Sequence, residues 1–331
     1  MKTIFKISVT LLLGLLLAAP VLGGQKKLAQ TGFQFLSVPS DARGGALADA
    51  LTTRELGSAS LFFNPAGLAR MQHLTDVVLS QNSWIADIHH NSVSLAFNPL
   101  GGRYGVVGMS LMSVDYGEVQ GTMVWGNDQG YLDTEVFNPS AFMVGLGYAR
   151  ALSDKFQVGG QIKYTGQQLG KSVIPVGDTG KEVKKNLAFA TAFDFGTIYW
   201  TGFKSLVFGM SVRNFSNEIK YEKEGFQLPL TFRIGIAMDL LDFAPSLRKT
   251  HSLQMSFDAV HPRSYPEMVN MGVEYKFLNL LTLRGGYMFN RDEEDLAFGF
   301  GIEKFGAAID YAYTPFGVFD NVQRITIRFA Y

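Results

Sequence analysis

From about residue 73 to its end the chain alternates apolar and polar positions. Phe156, Val158, Gly160, Ile162 and Tyr164 are interleaved with Gln157, Gly159, Gln161, Lys163 and Thr165. That is the period of two that sends successive side chains to opposite faces of a strand. Leu253, Met255, Phe257 and Ala259 alternate in the same way with Ser252, Gln254, Ser256 and Asp258, and Val269, Met271, Val273 and Tyr275 with Asn270, Gly272, Glu274 and Lys276. The pattern returns in Phe232, Ile234, Ile236 and Met238 around Arg233 and Asp239, and in Leu296, Phe298, Phe300 and Ile302 around Asp295, Gly299 and Glu303.

An apolar face of this kind is either buried in a soluble sandwich or turned to lipid around a polar lumen. Strand length separates the two. Runs of about ten residues suit tilted membrane strands, whereas strands in soluble sheets average about five or six. Aromatics near strand ends, among them Tyr148, Phe156, Tyr164, Tyr199, Trp200, Phe277 and Phe289, fit interfacial girdles. The predicted fold class is an all-β transmembrane barrel of about 14 antiparallel strands, an even number as single-chain bacterial barrels have. The strands are expected near 74–80, 88–97, 103–112, 139–150, 155–168, 186–199, 204–215, 229–240, 250–259, 268–276, 280–290, 294–303, 306–313 and 322–331.

A further run at 116–125 would make the parity odd, so it is assigned to an external hairpin or flap. Short connections at 98–102, 152–154, 200–203, 278–279 and 304–306, with a longer one at 241–249, read as periplasmic turns. The segments 113–138, 169–185, 216–228, 260–267, 290–293 and 314–321 read as external loops. This arrangement places the protein in the outer membrane of a Gram-negative-type bacterium, in contact with outer-membrane lipid, with both termini periplasmic. The last strand alternates Ile325, Ile327, Phe329 and Tyr331 with Arg324, Thr326 and Arg328. An aromatic end at strand spacing, here Phe329 and Tyr331, resembles the signal that hands outer-membrane barrels to the barrel-assembly machinery, and no domain is expected after it.

Residues 25–73 do not alternate. Asp41-Ala-Arg-Gly-Gly-Ala-Leu-Ala-Asp-Ala-Leu51 and Ser60-Leu-Phe-Phe-Asn-Pro-Ala-Gly-Leu-Ala69 are rich in small, helix-prone residues and contain an Asn-Pro turn. The expectation is a small-residue helical hatch or plug in the lumen, with Arg43 close to lumenal carboxylates. The domain boundaries that follow are 1–24 for a signal peptide, 25–73 for the hatch and 74–331 for the barrel.

Composition narrows the rest. The 331 residues carry 29 Lys+Arg against 29 Asp+Glu and no Cys. There is no basic excess over the whole chain to recruit nucleic acid or anionic lipid, and disulfides and thiolate metal sites are excluded. Lys2 and Lys6, the apolar run Ile7 to Ala19 and the small pair Gly23 and Gly24 have the order of a secretory signal. No later apolar run approaches the ~18 residues of a spanning helix.

The inward face carries Gln157, Gln161, Lys163, Asp194, Arg213, Arg233, Asp239, Asp258, Glu274, Arg284, Glu303, Asp310, Arg324 and Arg328. A Lys or Arg turned to lipid at mid-membrane would cost ~2–4 kcal/mol, so these residues face the lumen, where opposite charges can pair across strands. Two readings stay open: a packed ionic network that holds the barrel shut, or a wetted path for a solute. Enzyme chemistry has no support. Gly166-Gln-Gln-Leu-Gly-Lys-Ser172 is one residue short of a phosphate-binding loop and no helical pattern follows it. His89 and His90 are strand neighbours on opposite faces, so they cannot chelate one metal. No catalytic residue, metal site or cofactor is expected.

Asn64-Pro65-Ala66-Gly67-Leu68 after a small-residue helix resembles the N-terminal hatch of FadL-like outer-membrane barrels. The wider pattern, Pro39 to Ala50 with Arg43, Gly44 and Gly45, plus Phe62 to Ala69, is similar to the PorV/PorQ branch of that superfamily. The resemblance implies an accessory barrel of type IX secretion that receives or scaffolds cargo for surface attachment. Its partners would be the secretion translocon, attachment-complex subunits and cargo C-terminal domains, bound through loops 113–138, 169–185 and 216–228. The alternative is a FadL-type channel for hydrophobic small molecules. Such a channel needs an apolar lumenal pocket, which the polar inward list argues against, although Phe33, Phe35, Leu61, Phe62 and Phe63 could line a lateral opening.

Overall fold

Strands with one lipid-facing side need every backbone group paired within the sheet, and in a membrane only a closed sheet provides that. The computed structural model describes residues 31–176, 180–221, 224–291, 294–319 and 321–331. The signal peptide expected over 1–24 lies outside them. In chain order the strands are β1 (Thr75–Ser83), β2 (His89–Phe97), β3 (Val106–Asp115), β4 (Val119–Val124), β5 (Tyr131–Phe137), β6 (Ser140–Ala151), β7 (Phe156–Val176), β8 (Gly180–Trp200) and β9 (Val207–Phe215). They continue as β10 (Ile219–Tyr221), β11 (Glu224–Phe226), β12 (Thr231–Asp239), β13 (His251–Pro262), β14 (Met268–Phe277), β15 (Leu281–Phe289), β16 (Leu296–Lys304), β17 (Ala307–Thr314) and β18 (Val322–Ala330).

All but β4, β5, β10 and β11 form one closed antiparallel barrel of 14 strands. It closes where β1 pairs with β18, Val77 opposite Phe329 and Leu79 opposite Ile327. Among the described residues no helix is long and apolar enough to cross a membrane. The inward parity read from the sequence holds: Gln157, Gln161, Lys163 and Thr165 are buried, while Ile162 and Tyr164 are exposed. The connection between β3 and β6 contains the expected external hairpin, β4 with β5, as a separate two-stranded sheet.

One loop expectation is corrected. The segment 169–185 is not a loop, because β7 and β8 continue through it, pairing from Phe156 with Tyr199 out to Val176 with Gly180. Neighbouring walls stop earlier: β6 pairs with β7 only as far as Gln168, and β8 pairs with β9 only from Phe193 inward. The outer part of this hairpin therefore stands off the rim by ~25–30 Å, at about 3.3 Å per residue. A bulge between Gln168 and Gly170 marks the departure point. Gly170 has φ 124, and Phe137 of β5 packs where its side chain would be. Alternation alone could not show that pairing outlasts the membrane. In 216–228, β10 and β11 form a second small hairpin.

The hatch lies inside the barrel, but little of it is α-helical. Only α1 (Ala42–Ala46) is, capped by Asp41, whose Oδ1 accepts from Gly44 N at 2.7 Å. Gly44 and Gly45 are weak helix formers, and a reversal at Ala48 (φ 53) and Asp49 (φ 58) ends it. The segments Gly57–Phe62 and Pro65–Leu68 are 3-10 turns. Room comes from glycines on the inward face: Pro65 sits against Gly159, Thr52 against Gly209, and Leu47 and Ala48 against Gly286, each too close to admit a Cβ.

The hatch also runs the full depth of the barrel. Thr31 bridges to Gln227 and its Oγ1 lies 2.5 Å from Ser264 Oγ, at the rim that carries the long loops. Forty residues on, Met71 O accepts from Asn98 Nδ2 at 2.5 Å, at the rim of tight turns. Tyr331 pairs with Thr75 at that second rim. Thr31 and Tyr331, the first and last described residues, thus occupy opposite rims; the N-terminus, expected on the same side as the C-terminus, lies outside the described residues. Strand parity fixes where the hatch ends and says nothing of where a segment threading the lumen begins.

Candidate functional site

The lumen has a polar wall and an apolar wall, and the hatch is built to match both. On the polar side five charged groups alternate in sign. Arg54 of the hatch lies 3.3 Å from Glu274 Oε1, Glu274 Oε2 is 2.6 Å from Arg284 Nε, Arg284 Nη1 is 2.5 Å from Asp310 Oδ1, and Asp310 Oδ2 is 3.6 Å from Arg43 Nε. Glu274, Arg284 and Asp310 come from β14, β15 and β17, so both hatch arginines are fastened across the sheet. The expected proximity of Arg43 to lumenal carboxylates is present.

Further ties repeat this logic with other chemistry. Asp258 accepts from Thr52 N at 3.0 Å and Thr52 Oγ1 at 2.6 Å. Arg233 binds Asp49, through its carboxylate and through its carbonyl oxygen at 2.8 Å. Arg213 Nη2 donates to Leu36 O at 3.3 Å. Arg328 Nε donates to Asp76 Oδ2 at 2.7 Å, and Asp76 Oδ1 also accepts from Ser58 N at 2.8 Å and Ser58 Oγ at 2.6 Å. Fully buried Asn64 donates to Thr52 O at 2.6 Å and to the strand carbonyl of Thr197 at 3.2 Å, while accepting from Ala66 N at 3.1 Å. Gly45 lies against the Arg324 guanidinium, Ala66 packs with Ile198 and Val207, and Gly67 meets the Arg54 carbonyl.

Not every inward charge joins the hatch. Lys163 Nζ pairs with Asp194 at 2.8 Å, and a kink in β9 brings Asn214 Oδ1 to the same amine at 2.5 Å. Glu303 pairs with Lys276 at 2.9 Å on the barrel itself. Asp239 caps the turn Leu240–Phe243, accepting from Leu241 N at 2.8 Å, and takes Ser252 Oγ at 2.8 Å. Arg324 donates to Thr314 Oγ1 at 2.9 Å and lies 5.4 Å from the Trp84 ring. Phe329 and Tyr331 are exposed at the end of β18.

Sequence reasoning missed Asp49, Arg54, Asp76 and Asn214. Asp76 was within reach, as a charge on the inward parity of a predicted strand. Asp49 and Arg54 lie in an aperiodic segment that gives no facing information.

The opposite wall corrects the expectation of a uniformly polar lumen. Met112, Val114, Ala141, Met143, Ala188, Ala190 and Ala192 of β3, β6 and β8 point inward and form one buried cluster with Phe33, Phe35, Phe62 and Phe63 of the hatch. Reading inward positions for charge found the polar wall; alanines and methionines at the same parity passed as filler. Pairing of β3 with β2 and β6 is unbroken, so these aromatics line no lateral gap there.

Spaces around the hatch among the described residues include two cavities and a groove. A cavity of about 290 Å³ on the loop side is lined by Leu36, Arg213, Arg233, Met268, Met288 and Arg324. One of about 350 Å³ on the turn side is lined by Arg54, Glu274, Lys276, Arg284 and Glu303. A groove of about 510 Å³ at the loop rim is lined by Phe33, Tyr116, Leu169, Ala188 and Phe226. Phe33 and Phe226 stack at 5.9 Å.

No protein-family model matches the chain, and no curated protein matches it by sequence. Solved structures do. CymD, a monoaromatic hydrocarbon channel, superposes with a TM-score of 0.62 at 11% identity, covering 89% of this chain and 98% of its own. The toluene transporter TodX of Pseudomonas putida gives 0.59 at 12%, covering 92% and 98%. A Pseudomonas aeruginosa FadL homologue gives 0.56 at 12%, covering 88% and 99%. The fold is that of the FadL-type outer-membrane barrels. At these identities the likeness is one of fold, and it extends over nearly the whole length of each FadL-type structure. The FadL-like resemblance read from the hatch motif agrees with it; the PorV/PorQ branch is not among these matches.

Proposed function

We propose that this protein is a FadL-type outer-membrane channel that admits small hydrophobic molecules, with the hatch as its closure. The observation that carries the reading is the apolar groove at the loop rim, which ends on Phe33 and is contiguous through that residue with the apolar wall of β3, β6 and β8. A neutral hydrophobic solute gains about 25 cal/mol per Å² of apolar surface removed from water, and this wall offers such surface from the rim inward. The long loops face outward in this reading and the tight turns face the periplasm. The hatch blocks the lumen, so passage requires it to shift, and among the described residues its aromatic side is held by packing and by a hydrogen bond from Arg213 to Leu36 O rather than by ion pairs. The fold matches support the reading, since the hydrocarbon channel and the toluene transporter share the architecture. Liposomes containing the purified protein should take up a monoaromatic hydrocarbon faster than protein-free liposomes, and Ala190→Glu should abolish the difference. Equal uptake with and without the protein would overturn it.

The secretion reading rests on the hatch motif, and one feature favours keeping it in view. The hairpin of β7 and β8 projects beyond the rim with β4 and β5 beside it, Lys171 lying 3.7 Å from Glu135. That is a platform large enough for a protein. Co-purification of an exported protein with the barrel, lost when 169–187 is replaced by a tight turn, would favour it over transport.

A further inference from the structure

The tight turns carry a feature that neither transport nor closure uses. Leu100, Leu278 and Phe305 occupy turn tips in the left-handed region, at φ 53, 53 and 55, and are 74%, 55% and 94% exposed. A large L-residue there is strained where Gly or Asn would not be, and its apolar surface is left in the open. Leu152, Phe203 and Phe243 are exposed on the remaining tight turns, so each connection at this rim presents a large apolar side chain. Positive φ and exposure of large apolar side chains thus coincide at these turn tips.

Charge identifies the partner. Arg103, Arg150, Lys155, Lys204, Lys249 and Lys304 are exposed at this rim. Among the described residues the carboxylates with exposure at this rim are Asp154, Glu55, which accepts from Gln157 at the lumen mouth, and Glu303, which pairs with Lys276, while Asp242 is buried against Arg248 at 2.6 Å. The loop rim has the opposite bias, with Asp115, Glu118, Asp128 and Asp133 exposed on a single connection. Cations and aromatics at the turn rim are also coupled: Arg103 lies 5.7 Å from the Tyr104 ring, Lys204 5.3 Å from Phe243 and Lys304 4.8 Å from Phe305. These pairs sit on turns spread around the barrel, between β2 and β3, between β8 and β9 with β12 and β13, and between β16 and β17. A protein partner would select one sector; a belt around the whole circumference matches the surrounding lipid.

We infer that the turn rim is an anchoring belt for anionic phospholipid headgroups in the leaflet it meets, the cations binding phosphate and the turn-tip side chains entering the interface. This inference rests on the barrel being in a membrane and not on what it transports. The test is native mass spectrometry of the full protein released from mixed vesicles of phosphatidylglycerol and phosphatidylcholine with identical acyl chains. The protein should retain phosphatidylglycerol in preference. The triple variant Arg103→Gln, Lys204→Gln, Lys304→Gln should lose at least about fivefold of that preference, the factor one basic residue contributes near an anionic surface. Its melting temperature in neutral detergent should match the parent, which separates lost lipid contacts from lost fold. Equal retention of the two lipids by the parent, or an undiminished preference in a triple variant that melts normally, would overturn the inference.

Discussion

Asp310→Asn tests the idea that paired charges hold the hatch. Asp310 bridges Arg284 at 2.5 Å and Arg43 at 3.6 Å, and its side chain is 4% exposed. Removing one partner of a buried ion pair costs about 3–5 kcal/mol. The lower end applies, because Arg284 keeps Glu274 and Arg43 borders the turn-side cavity, where water can solvate it. The loss falls mainly on the hatch, since Arg43 is left without its carboxylate while the strand pairing of β17 is untouched. At 1.4 kcal/mol per decade, ~3 kcal/mol raises the population of the displaced hatch roughly 100-fold.

The chain has no Cys, so one introduced thiol reports without background. Ser40→Cys is suitable: the site is buried and its hydroxyl has no hydrogen-bond partner, so the exchange removes nothing the fold uses. Maleimide labelling of Ser40→Cys should be slow, and about 100-fold faster with Asp310→Asn when reclosing outpaces labelling. Asp239→Asn is the control, because the hydrogen bonds that the Asp239 carboxylate accepts among the described residues come from Leu241, Ser252 and Leu253 on the barrel and not from the hatch. Unchanged labelling in Asp310→Asn, or equal acceleration by Asp239→Asn, would refute the claim that the ionic wall fastens the hatch.

Three other outcomes are expected. Gly159→Ala places a methyl against the backbone of Pro65 and Ala66; overpacking of ~1–3 kcal/mol should lower the melting temperature in detergent and accelerate Ser40→Cys labelling. Phe62→Ala removes a buried hatch aromatic from the apolar wall; a loss of ~3–5 kcal/mol should fall on the hatch and raise uptake of a small hydrocarbon in liposomes, and slower uptake would contradict the hatch as closure. Ile162→Arg puts a charge on the lipid face while Gln161→Arg puts it in the lumen; the first should cost ~2–4 kcal/mol by urea unfolding in bilayers but not in neutral detergent, and a similar cost in both media would argue against a lipid-facing Ile162.

The sequence alone determined the barrel, its strand number and which side chains face inward. Alternation with period two is a local property, and the high cost of a charge in lipid fixes which face is which without knowledge of neighbours. It also marked the hatch, since a segment without alternation cannot join the wall. Tertiary structure decided the rest. That Arg43 and Arg54 share one network with Glu274, Arg284 and Asp310, and that Asp49 meets Arg233, depends on how an aperiodic segment threads the lumen, and no local period records that path. The apolar wall was legible only after closure brought β3, β6 and β8 to one side of the hatch, because a methyl or thioether at an inward position has no polarity to announce its neighbours. The projecting hairpin of β7 and β8 was hidden for a related reason: backbone pairing continues wherever two strands stay adjacent, and the hydrophobic pattern reports only the stretch that meets lipid.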